Sequence, residues 1–205
     1  MVEMKKLYLD EANVLEIDEL AASSGEVRGI PILTDAQYVR RGVGKEMLHN
    51  VEFITKELGY PIHYGAIKAN EWYPLILRVV SLLAIKQALC LDDEKIKEMG
   101  KSALNYSRIT KLMHKYFISL EELAEKLQTY WRHNYSTGSL KGMVIDRSAF
   151  ICLSDFSLHP ILSNYLEGYF VGVLKMVIGE DEWISVKKTE KWHSDIDCHD
   201  FILRW

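Results

Sequence analysis

Tyr106, Tyr130, Trp131, Tyr165, Tyr169 and Phe170 are the side chains with the clearest chemical promise in this sequence. Tyr165 and Tyr169 fall one helical turn apart with Phe170 beside them, and Tyr130 and Trp131 adjoin on an earlier helix. Large rings with a few hydroxyl and indole handles make a small-molecule pocket. The same spacing also fits an ordinary core, and the sequence does not separate the two. Acid–base and nucleophilic chemistry has less support. Ser154 and Ser163 stand near His159, without a Gly-x-Ser-x-Gly elbow. Gly-x-Gly-x-x-Gly, Gly-Lys-Ser/Thr and His-Glu-x-x-His are absent. Glu94, Glu98, Glu121, Glu122 and Glu125 are spaced as solvated helix-surface carboxylates. The expectation is a protein that is not an enzyme.

The positioning elements follow from periodicity. Ser119 with Glu122 is a capping box, starting a helix to about His133 with Leu120, Leu123, Leu127, Tyr130 and Trp131 on one side. Leu158 to Val177 repeats apolar residues every three or four positions and stops at Gly179. Pairs of strands flank it, at 139–147 with 149–155 and at 183–190 with 196–205. Upstream, Lys45 to Leu58 is an amphipathic helix ending at Gly59. Residues 72–90 make a largely buried helix. Asp92 caps another that runs through Ala103 towards Phe117. Residues 27–33 read as extended chain because of Pro31, with a short helix from Thr34 or Asp35 to Arg40. The fold class is α+β, a helical N-terminal half plus an antiparallel sheet of two hairpins separated by a long helix. Residues 1–25 read as an N-terminal strand or linker and 26–205 as one domain.

The chain has 205 residues, 48% of them hydrophobic and 26% charged, enough to bury a core. A net charge of −4 without a long basic run argues against nucleic acid. The apolar window 73–91 carries Arg78, Lys86 and Gln87, too polar for a membrane span. Being apolar nearly all round, it is central to the core or packs on a partner, and a homodimer is one such arrangement. Cys90, Cys152 and Cys198 are odd in number and far apart, which suggests no disulfide framework and a reducing cytoplasm. Cys90 reads as a core cysteine. The N-terminal residues lack the apolar core of a secretory signal.

The order of helices, hairpin, long helix and hairpin carries Gly29-Ile30, Tyr73-Pro74, Leu166-Glu167-Gly168-Tyr169 with Gly172, and a terminal Phe201-Ile202-Leu203-Arg204-Trp205. In these features residues 26–205 resemble a superfamily of 4-vinyl-reductase-type ligand-binding domains, heme nitric-oxide-binding domains and transport-protein-particle (TRAPP) subunits. The chain looks most like a bacterial branch of unassigned function. The resemblance implies a sensory or scaffolding domain, often dimeric, with an apolar pocket between helices and sheet.

Two cofactors enter only through that resemblance. The 4-vinyl-reductase pattern implies zinc held by Glu190, His193 and Cys198, with Asp195, Asp197, His199 or Cys152 as a further ligand. Asn164 stands where that pattern has a helix cysteine, and the plainer reading is a solvated hairpin tip with Cys198 half-buried. The heme-domain pattern implies His114 as axial ligand and Tyr135-Ser136-Thr137-Gly138-Ser139 as the propionate grip. Its arginine is missing, and the plainer reading puts His114 on a helix face. The sequence thus favours a ligand-binding signalling module, with a dimeric adaptor of filled core as the alternative and a zinc- or heme-binding sensor behind both.

Overall fold

The computed structural model of the chain describes residues 25–106, 119–189 and 198–205. Elements run in the order β1 (Glu26–Arg28), α1 (Gly29–Gly42), α2 (Lys45–Glu57), a 3₁₀ turn (Tyr64–Ala66) and β2 (Trp72–Pro74). They continue with α3 (Leu75–Ala88), α4 (Asp93–Tyr106), α5 (Leu120–Asn134), β3 (Ser139–Ile145) and β4 (Ser148–Ser154). The chain closes with α6 (Pro160–Ile178), β5 (Ser185–Thr189) and β6 (Cys198–Arg204). The class is α+β. One antiparallel sheet has the order β3-β4-β6-β5, and a small ribbon pairs β1 with β2.

The predicted hairpins, capping box and long helix stand in place. Ser119 Oγ accepts a hydrogen bond from the Glu122 amide at 3.2 Å, and Gly179, at φ +114°, ends α6. Two upstream expectations are corrected. The segment after Arg28 is not extended, because α1 begins at Gly29 and takes Pro31 into its first turn, where a missing N–H costs nothing. Trp72 and Tyr73 belong to a strand opposite Arg28 and Val27, and the apolar helix starts only at Leu75. The proposed continuation from Tyr106 to Phe117, and the segment 1–24, lie outside the described residues.

The core joins helices to sheet. Ala149, Ile151 and Leu153 of β4 and Phe201 and Leu203 of β6 point inward. Phe170 of α6 meets Phe201 edge-on, with ring centroids 5.1 Å apart. α3 is central to the core, buried from Leu75 to Ile85 apart from Leu77, so its all-round apolarity is met within the chain. α6 is apolar enough to pass for a membrane span by length and composition, yet over half of that window is buried in protein.

α4 and α6 cross so closely that glycine is required. A Cβ on Gly168 would lie 1.8 Å from the Lys97 carbonyl oxygen, and one on Gly100 would lie 2.0 Å from that of Tyr165. At the start of α6, buried His159 accepts the Ile161 amide on Nδ1 at 3.1 Å. Burial, with Lys86 adding to it, pushes the imidazole down to about 4 from its ordinary 6.5. The unfolded chain therefore binds this proton more readily than the folded one. Stability should hold above about pH 6.5 and fall as pH drops towards 4. A denaturation series from pH 7 to 4.5 checks this. His159→Asn keeps the capping acceptor and should show a flatter slope, whereas equal slopes would remove His159 as the cause.

Candidate functional site

Among the described residues, five helices and one strand bound a cavity of about 130 Å³. The spacing on α6 sends Tyr165, Leu166, Tyr169, Phe170 and Val173 to it, and the end of α5 supplies Tyr130, Trp131 and Asn134. Thr34 of α1, Arg78 of α3, Ala103 of α4 and Leu140 of β3 complete the walls, and His133, an exposed residue, also lines the space. Five of the six aromatic residues singled out by sequence thus stand on one cavity. Tyr106 does not. It packs edge-on against Tyr38 with centroids 6.1 Å apart and lies under the Arg41 guanidinium.

The aromatic wall is held by hydrogen bonds and stacking. Trp131 Nε1 donates to the Thr137 carbonyl at 2.8 Å. Its ring stacks on Tyr135, with centroids 4.1 Å apart, and Phe156 closes edge-on against both. Gly138, at φ +85°, lets the chain turn there, where a Cβ would crowd Phe156 and the Trp131 indole.

Sequence reading passed over the polar heart of the site. Arg78 is 3% exposed and Asp35 1%. Arg78 Nε donates to Asp35 Oδ2 at 3.2 Å, and its Nη1 donates to the Tyr135 hydroxyl. The guanidinium also lies over the Tyr165 ring, 4.7 Å from the centroid. Burial pushes the Asp35 carboxyl up, with Arg78 pulling back against it. Burial also raises the Tyr165 and Tyr169 hydroxyls, so both rings stay neutral at any physiological pH. The one available signal was Arg78 itself, a charge inside an apolar helix. Its partner lies 43 residues away and leaves no local trace.

The implied metal site is only partly described. Glu190 and His193 lie outside the described residues, and Asn164 accepts the Lys188 ammonium at 2.7 Å. Cys198 is fully buried, not half-buried, and forms a disulfide with Cys152. That corrects the reading of unpaired cysteines. In register, Cys152 faces Asp200 and Ser154 faces Cys198, so residues 46 apart in sequence become diagonal neighbours on adjacent strands. In a reducing compartment such a pair is held as two thiols. With the Asp200 carboxylate, which lies within 4.8 Å of both sulfurs, they are then three donors of types that zinc accepts. Cys90 is exposed at the end of α3, not in the core.

No protein-family model matches the chain, and no curated protein matches it. Solved structures do. An H-NOX protein from S. oneidensis in its Fe(II)NO ligation state superposes with a TM-score of 0.63 at 15% identity, over 86% of this chain and 98% of that one. An oxygen-binding H-NOX domain related to soluble guanylate cyclases gives 0.61 at 13%, over 86% and 94%. A structure described as modulating heme redox potential through porphyrin distortion gives 0.56 at 15%, over 87% and 99%. The fold is therefore that of H-NOX domains. The heme-nitric-oxide part of the resemblance gains this support; the 4-vinyl-reductase and TRAPP parts gain none.

A heme requires an axial ligand and partners for its propionates. His114, the implied axial ligand, lies outside the described residues. Among the described lining residues the one histidine is His133, which is exposed. The implied grip fares no better. Tyr135 is tied to Arg78, Ser136 Oγ accepts the Glu26 amide at 2.8 Å, and the buried guanidinium is committed to Asp35. These residues do not fit a heme with its propionates.

Proposed function

We propose that the chain is a non-enzymatic, small-ligand-binding sensory domain. The observation that carries this reading is the cavity itself, walled by Tyr130, Trp131, Tyr165, Tyr169 and Phe170 around a buried polar group. A ligand there touches α1, α3, α4, α5 and α6 at once. It shifts how α5 and α6 pack only if it binds one arrangement better than another. The altered surface is the output, read by a second copy or a partner protein.

Native mass spectrometry of the purified full chain, with a metal scan, tests the proposal. A mass above the polypeptide by one small organic molecule supports it. A bare mass at twice the chain weight, with no binding of added small molecules, moves the function to a dimeric adaptor.

The fold likeness favours one further reading, a heme sensor with His114 as axial ligand, since the similar structures include an Fe(II)NO state and one concerned with heme redox potential. Hemin titration of the full chain and of His114→Ala tests it. A 1:1 complex with a Soret band that the variant loses supports it, and no such complex sets it aside.

A further inference from the structure

The polar group of the cavity is charge-balanced before any ligand arrives. Arg78 is the one guanidinium among the described lining residues, and its Nε is ion-paired with Asp35 while its Nη1 is hydrogen-bonded to Tyr135. A carboxylate entering beside Arg78 would meet a guanidinium whose charge the buried Asp35, itself off the lining, already balances, and burying that extra negative charge is costly. His133, the other group on the lining able to carry positive charge, is exposed and so screened by water. Size narrows the ligand further. A cavity of about 150 Å³ lined by apolar side chains holds one benzene, and this one, of about 130 Å³, is walled mainly by rings and aliphatic groups. It lies well below the span of about 300–1,000 Å³ usual for drug-sized ligands.

We infer that this cavity takes a small uncharged single-ring compound, and that the Asp35–Arg78 pair turns carboxylates away, propionate-bearing heme among them. The inference rests on the small-ligand reading above and departs from its heme variant. Edge-to-face contact with Tyr165, Tyr169 and Phe170 supplies the apolar part of recognition.

Benzamide and benzoate share a ring and differ in charge, so the full chain should be titrated with each by calorimetry or ligand-observed NMR. Benzamide should bind at least about tenfold more tightly than benzoate. Asp35→Asn, close in shape, leaves Arg78 uncompensated and should raise benzoate affinity at least about tenfold. Benzoate binding as well as benzamide, or a 1:1 heme complex lost in His114→Ala, overturns the inference and leaves the small-ligand reading standing. Binding of neither probe to a chain that purifies without a ligand overturns both. Should Asp35→Asn fail to fold, the benzamide-to-benzoate ratio of the unaltered chain still decides.

Discussion

Arg78→Met should destabilise the chain by about 3–5 kcal/mol, the cost of leaving one partner of a buried ion pair alone. Asp35, at 1% exposure, would keep a buried carboxylate facing Tyr165 and no guanidinium. The sign of the pH dependence follows. Burial already raises the Asp35 carboxyl, and Arg78 is the main influence lowering it. Without Arg78 the folded-state value rises further, so the folded chain binds a proton that the unfolded chain releases. The loss should therefore be largest near neutral pH and shrink as pH falls. Arg78→Met with Asp35→Leu removes both charges and should recover most of the stability, since an apolar pair of similar volume replaces a buried ion pair at little cost. Denaturant titrations of the single and double variants at pH 5 and 7.5 check this. A loss below about 1 kcal/mol in the single variant would show that the pair is solvated and worth no more than a surface salt bridge.

That pair also shows where sequence reading stops. Tyr130, Trp131, Tyr165, Tyr169 and Phe170 were legible because helical spacing fixes which side chains share a face, and two faces were enough to outline a cavity. Ser119 and Gly179 were legible because capping is local in sequence. Asp35 with Arg78 and Cys152 with Cys198 are encounters between distant segments, set by how helices and strands stack and not by any spacing. The start of α1 was misread for a related reason. Pro31 marks an edge or an end in isolation, but the Gly29 and Ile30 amides donate to the Glu71 and Ala69 carbonyls, and that tertiary anchor fixes the helix start just ahead of the proline. Tyr106 stands off this cavity because helix α4 directs it to Tyr38 and Arg41, and no pattern in α4 alone records which neighbour that face meets.

Gly168→Ala should cost about 3 kcal/mol, the upper end of what overpacking a core produces. The added methyl would sit 1.8 Å from the Lys97 carbonyl oxygen and 2.6 Å from its carbon, and this obstacle is backbone, which cannot rotate away. Relief requires α4 and α6 to move apart. Gly100 makes the reciprocal approach to the Tyr165 carbonyl, so separating the helices would drag Tyr165 and Tyr169 from their places on the cavity wall. Stability and ligand binding should thus fall together, the second even at temperatures where the variant is fully folded. Gly172→Ala should cost less, since its methyl meets the Lys101 carbonyl oxygen at 2.8 Å and the movable end of Leu104 at 2.9 Å. Gly42→Ala is the control. Among the described residues nothing lies within 4 Å of its added Cβ, and alanine in a helix is favoured over glycine by about 1 kcal/mol, so that change should be neutral or stabilising. Denaturation midpoints at constant slope, with benzamide titrations of each folded variant, give the ranking. A Gly168→Ala chain as stable as the Gly42→Ala chain would mean that α4 and α6 do not cross at glycine contact, and that the cavity wall is not set by that crossing.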